Sequence, residues 1–233
     1  MGKISTVVTA TAACLTLGAT VTGCSGGAAT DERSAQQLLD DAYKTMKSLT
    51  SVTIDGETTV TDGEHSTTLL TTDLKSTCTF KSSWESGAAL EQIRIGETDY
   101  VRPNRAYLDQ RSGQKTQSAA EQDRWIKTSS SESVPGDGLS DCTWSFDAFG
   151  KAKKSEPTEV DGRPAIALVV TDVKDKSGTY TFHVATEGKP YLLKVEYKGS
   201  DFHTITTFSA FEEPLKVDPP YDDELLDLSG IGG

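Results

Sequence analysis

From residue 34 onward the spacing of apolar residues changes from a helical period to a strand period, and the change divides the chain. Ala35, Leu38, Leu39, Ala42, Met46 and Leu49 recur every three or four residues, which places them on one face of a helix. Ser34, with Gln37 three residues on, is a capping-box pattern and sets the predicted helix start. From Val52 the period is two: Val52, Ile54, Gly56, Thr58 and Val60 alternate with polar residues, and Asp62-Gly63 signals a hairpin. Further strands are predicted over Ser66–Leu74, Thr77–Trp84, Leu90–Ile95, Asp99–Arg102, Ala106–Asp109 and Trp125–Thr128. Turn-forming pairs such as Ser86-Gly87, Gly96-Glu97 and Pro103-Asn104 separate several of them. The polar stretch 114–124 suits a short helix or a loop, and 129–141, rich in Ser, Gly and Pro, suits an exposed loop. Residues 144–153 are predicted to hold a second short helix anchored by Trp144, Phe146 and Phe149.

Four strands carry the C-terminal third: Ala165–Thr171, Thr179–Ala185, Tyr191–Tyr197 and Phe202–Phe208. Their joints are short, so neighbours run antiparallel. Tyr180, Phe182 and Val184, with Tyr191, Leu193, Val195 and Tyr197, are expected on one face, while Thr, Lys, Glu and His occupy the other. One face is therefore covered and the other wet. No internal repeat and no second linker interrupts this order. The expectation is one α+β domain over 34–220, a large curved antiparallel sheet with helices on its apolar face.

The first 33 residues follow other rules. Met1-Gly2-Lys3 gives a positive start, and an uncharged run rich in Ala, Val, Leu and Thr leads into Val21-Thr22-Gly23-Cys24. That order is a secretory leader with a lipoprotein cleavage site, and the run barely reaches the ~18–20 apolar residues a membrane-spanning helix needs. Residues 1–23 are expected to be removed and Cys24 to carry a diacylglycerol, whose two acyl chains give stable anchoring. Residues 24–33 then form a lipidated start and tether whose nine residues after Cys24 reach roughly 30 Å when stretched. The chain is expected to be exported and held at the outer face of the cytoplasmic membrane.

Charge narrows the possible partners. The formal net charge is −12, and a chain so acidic lacks the Lys and Arg that displace counterions from nucleic acid. It also gains nothing from anionic headgroups, so the lipid must do the anchoring. Cys14 leaves with the leader, which leaves Cys78 and Cys142 as a pair in an oxidising compartment. A structural disulfide is expected there. Metal binding would need further ligands, and a redox role would need Cys-x-x-Cys spacing.

The sequence does not announce catalysis. His65, His183 and His203 lack metal-ligand spacing and are expected to face solvent. No nucleophile elbow, zinc-protease motif or phosphate loop occurs. Asp218, Asp222, Asp223, Glu224 and Asp227 lack the Gly-spaced pattern of a calcium loop and suit a solvated acidic tail over 221–233, after Pro219-Pro220. No cofactor and no enzymatic activity are expected.

The order of motifs resembles a known family. The Ser34–Leu49 helix leads into Val52-x-Ile54-x-Gly56, and Gly96-Glu97-x-x-Tyr100-Val101-Arg102 follows. Then come Val160-Asp161-Gly162-x-Pro164-Ala165, Glu187-Gly188-Lys189-Pro190-Tyr191, and Thr206-x-Phe208-Ser209-x-Phe211. With the lipobox, this resembles the LolA-like lipoproteins of actinobacteria, the LppX/LprG relatives. The resemblance implies a half-barrel whose concave face is capped by helices, with acyl chains held between them. It further implies that Leu38, Leu39, Ala42, Met46, Ile54, Leu70, Ile93, Tyr100, Phe182, Leu193 and Val195 line that space. Pattern alone leaves open whether these residues enclose a cavity or pack on one another. The Cys78/Cys142 pair and the polar stretch from Gln114 to Asp141 have no counterpart in the lipid carriers and are expected to narrow the mouth. Two functions follow: a monomeric lipid-anchored carrier of an apolar ligand, or a cell-surface accessory protein with a filled core and an envelope protein partner.

Overall fold

The computed structural model describes residues 33–61, 63–112, 124–134, 136–147, 149–171 and 178–226. The leader, Cys24, Asp62 and Asp227 lie outside the described residues, as do 227–233 of the expected tail. Helix α1 (Ala35–Lys47) begins as the sequence predicts. The Gln37 amide donates to Ser34 Oγ at 3.2 Å and the Ser34 amide to Gln37 Oε1 at 2.9 Å, closing the capping box. Lys44 and Lys47 in the last turn complement the helix dipole.

Among the described residues, eleven strands form a single open antiparallel sheet. They are β1 (Val52–Val60), β2 (His65–Thr72), β3 (Thr77–Trp84), β4 (Ala89–Ile95), β5 (Thr98–Pro103), β6 (Ile126–Ser129), β7 (Lys151–Val160), β8 (Arg163–Thr171), β9 (Thr179–Ala185), β10 (Leu192–Lys198) and β11 (Phe202–Ser209). The spatial order is β6-β5-β4-β3-β2-β1-β11-β10-β9-β8-β7. Two meanders, β1–β6 and β7–β11, therefore join where β1 pairs with β11, with Ile54 opposite Phe208 and Gly56 opposite Thr206. This topology leaves β6 and β7 at opposite edges. The chain between them has to travel from one edge to the other.

Two local expectations are corrected. Ala106–Asp109 is helical, inside α2 (Arg105–Ser112). Asn104 caps that helix through Oδ1, which accepts from the Tyr107 amide at 2.9 Å, and so few apolar residues could not distinguish the two periods. The helix predicted over 144–153 is absent among the described residues; 144–147 and 149 are irregular and Lys151 begins β7. β7 has one neighbour only, and its charged, largely exposed residues and Pro157 belong to an edge strand. Its ladder to β8 is interrupted between Lys154 and Pro157.

α1 lies against β7, β9 and β10. Its stripe packs in one cluster with Ile54, Leu70, Leu168, Val170, Phe182 and Phe208. At the far edge the C-terminal segment is docked. The Trp125 amide donates to Glu224 O at 3.0 Å and the Leu226 amide to Trp125 O at 2.9 Å, a parallel bridge. The first residues of the expected solvated tail thus extend the β6 edge and shield it. The carboxylates of Asp222, Asp223 and Glu224 stay exposed there. Among the described residues no group of acids, His or Cys gathers at metal-binding distance.

Candidate functional site: an apolar groove

The segment between β6 and β7 crosses one face of the sheet, and its two parts are held by different chemistry. Cys142 is disulfide-bonded to Cys78 on β3, with 5.5 Å between the Cα atoms. Beside the bond, Gln92 on β4 grips the backbone of Ser140 from both sides. Its Nε2 donates to Ser140 O at 2.9 Å, and its Oε1 accepts from Ser140 N at 2.8 Å. Gln92 Nε2 also donates to Asp99, whose carboxylate takes two hydrogen bonds from Arg94 at 2.7 and 2.6 Å. Thr72 Oγ1 donates to Cys142 O and Tyr107 Oη to Asp137 O. Residues 137–142 are thus clamped to the β2–β5 half of the sheet.

Residues 144–147 and 149 lie over β9 and β11 and are held mainly by rings. Phe149 meets Tyr180 edge-on at 4.7 Å and Phe182 at 5.6 Å, while Trp144 and Phe146 approach Phe208 at 6.1 and 5.8 Å. Lys47 bridges Asp147 at 3.0 Å on the surface. The crossing ends at Gly150, whose φ of +72° and close approach suit only glycine: a Cβ there would lie 2.5 Å from Thr171 O.

Beneath this aromatic roof is a pocket of about 180 Å³ lined by Tyr43, Trp144, Phe149, Phe182, Val195 and Phe208, among others. A second pocket of about 290 Å³, walled by Tyr197 and Phe202, shares Tyr180, Val195 and Thr206 with the first. The two adjoin at these shared residues as a groove whose floor follows alternate residues of β11: Phe208, Thr206, Thr204 and Phe202. Trp144 at one end is 41% exposed and Phe202 at the other 42%.

The residues expected to line a cavity separate into three groups. Phe182 and Val195 line the groove. Leu38, Leu39, Ala42, Met46, Ile54 and Leu70 are packed into the core beneath α1, and the helix stripe there is fully buried. Ile93, Tyr100 and Leu193 do not share this lining. Ile93 pairs directly with Tyr100, and strand alternation sets both on the face away from Gln92 and Arg94. Leu193 falls at a register shift in the β9–β10 ladder, so Leu192 takes the position opposite Val184. Leu193 then joins Val160, Ala165 and Ala185 in a separate small cluster. The residues that sequence reasoning missed as lining are Tyr43, Trp144, Phe149, Tyr180, Thr206 and Phe208. Their signal was present: Trp144 and Phe149 are large rings in a polar stretch, and Tyr180 sits on the apolar side of β9.

The groove is electrically quiet. The Tyr43 hydroxyl is held protonated well past its ordinary range by burial, aided by the Asp147 carboxylate. Asp147 itself is kept ionised chiefly by its hydrogen bond from Lys47. The other face differs from expectation. His183 is buried, with neither ring nitrogen hydrogen-bonded among the described residues, and its neighbours are Lys194 and Glu196, joined at 2.6 Å. Burial, then Lys194, holds its imidazole below the usual pKa, partly offset by Glu196.

No family model and no characterised protein matches the chain by sequence. Solved structures do. LprF from Mycobacterium bovis is 14% identical and superposes with a TM-score of 0.51, over 80% of this chain and 96% of its own. The chain shares the fold of LprF. The lipoprotein LppX of Mycobacterium tuberculosis gives 15% identity and a TM-score of 0.49, over 79% of this chain and 100% of its own. On this fold the chain carries a disulfide-stapled crossing segment, a packed region under α1, and a groove over β9–β11.

Proposed function

We propose that the chain is an exported lipoprotein, anchored by a diacylglycerol on Cys24 at the outer face of the cytoplasmic membrane, whose groove binds an apolar lipid for transport or presentation. The observation that carries this reading is the groove itself: two adjoining, mainly apolar pockets that share Tyr180, Val195 and Thr206, with exposed rings at the outer ends. Together its two chambers fall in the ~300–1,000 Å³ range of small-ligand sites. An apolar lining without converging charged groups suits binding by burial and not chemistry. The role is accordingly non-catalytic. The tether after Cys24 is long enough to let the domain stand off the bilayer from which it takes its ligand.

The test is native mass spectrometry of the mature chain carrying Cys24→Ser, exported through an oxidising compartment, followed by solvent extraction. Excess mass that extracts as acylated material is expected, and Thr206→Phe, which fills the floor shared by both chambers, should remove it. A clean apo mass that stays unchanged after incubation with membrane lipids would overturn the carrier reading. The anchor is tested separately, by labelled palmitate incorporation that Cys24→Ala abolishes.

A further inference from the structure

We infer that the groove accepts one acyl chain and excludes a second, so that its ligand is a single-chain amphiphile; the inference rests on the carrier reading above. Capacity is the first observation. An apolar cavity of about 150 Å³ holds one benzene ring. Scaled that way, the chambers of about 180 and 290 Å³ hold on the order of eighteen carbons. That is one long chain.

Shape is the second. The floor runs along β11 from Phe208 to Phe202, six residue steps, or roughly 20 Å at the rise of a strand. Tyr180, Val195 and Tyr197 wall the channel on the β9–β10 side, and Trp144, Phe146 and Phe149 roof one end. An extended chain threaded lengthwise meets apolar groups along the whole course. Of the floor's two hydroxyl residues, Thr204 has a partner of its own, its Oγ1 lying 3.3 Å from Thr58 Oγ1.

Closure is the third. A second chain entering between α1 and the sheet would have to displace side chains that, among the described residues, are packed and buried there. Leu38, Leu39, Met46 and Leu168 are 1%, 0%, 0% and 0% exposed in one cluster. On the far side, the disulfide and the Gln92–Ser140 clamp hold 137–142 down on β3 and β4. Neither boundary yields without dismantling the core or the cross-link.

The experiment is a native mass spectrometric titration of the mature Cys24→Ser chain with palmitate, lysophosphatidylcholine and phosphatidylcholine. Palmitate and lysophosphatidylcholine are expected to bind at one molecule per chain, with phosphatidylcholine at least tenfold weaker. Thr204→Phe fills the outer chamber and leaves the roof untouched. It should weaken palmitate by about fourfold for each methylene turned out of the groove, while laurate binding is little changed. Phosphatidylcholine binding as tightly as palmitate would overturn the one-chain limit and leave the carrier reading standing. Equal losses for palmitate and laurate in Thr204→Phe would also overturn it, because the chain would then not run along β11. Binding of no acylated probe would overturn the carrier reading itself.

Discussion

Asp99→Asn tests whether the polar clamp under the crossing segment is held by charge. Asp99 is fully buried on β5 and Arg94 nearly so on β4, and they meet through two short hydrogen bonds. Replacing the carboxylate by an amide keeps the shape and leaves the buried guanidinium without its hydrogen-bonded counter-charge, with only the more distant Asp141 and Asp137 acting on it. Breaking a buried pair from one side typically costs about 3–5 kcal/mol. Gln92 would lose one acceptor but keep Ser140, so its share is only about 1 kcal/mol. The double variant Arg94→Met/Asp99→Leu removes both charges and should recover most of the loss, because burying two ions is itself unfavourable. The assay is equilibrium urea unfolding of the oxidised protein, comparing midpoint and slope for the wild type, the single and the double variant. A single variant within about 1 kcal/mol of wild type would refute the premise that this charge is desolvated. A double variant as damaged as the single one would show that the pairing, and not the orphaned charge, carries the energy.

Three further outcomes follow from other parts of the structure. Cys78→Ser/Cys142→Ser opens a loop of 64 residues and should lower stability by about 4 kcal/mol in the chain-entropy picture, read by urea unfolding with and without reductant. Gly150→Ala places a Cβ against Thr171 O at a left-handed φ and should cost more than about 1 kcal/mol, read as a drop in thermal midpoint. His183 is neutral in the folded chain, because burial lowers its pKa. The unfolded chain takes up the proton near pH 6.5, so stability should be full above about 6.5 and fall as pH drops toward the folded value. His183→Gln should flatten that slope below about pH 6.5, and an unchanged slope would count against the buried imidazole.

Local structure was legible where one period ran long. The α1 stripe with its Ser34–Gln37 box and the alternating strands of the C-terminal third read directly. The cysteine pair was legible from count and compartment, without any geometry. β7 was not, because an edge strand buries little and needs no alternation; three lysines and Pro157 looked like loop or helix. The one-residue shift near Leu193 was invisible for a different reason. Either register satisfies a run that is apolar at both Leu192 and Leu193, and only the paired strand selects. The groove depended on contacts between residues far apart in sequence. Trp144 could be read as an anchor, but its partner Phe208 is brought there by the β1–β11 pairing of the chain's two halves.

The crossing segment sets how the fold and the groove divide the work, and Trp144→Ala separates them. Up to Cys142 the segment is fixed by a covalent bond and a buried hydrogen-bonded network, whose loss reaches the whole sheet. Beyond it, ring contacts worth about 0.5–1.5 kcal/mol each beyond their area burial and a surface ion pair worth at most about 1 kcal/mol hold the roof down. Trp144 is two-fifths exposed and touches Phe208 through a single edge contact. Its removal should therefore leave the urea midpoint within about 1 kcal/mol of wild type. The same change strips one wall from the inner chamber, so retention of palmitate should fall severalfold by native mass spectrometry. The opposite pattern, with stability lost and retention kept, would place Trp144 in the folding core and remove it from the groove.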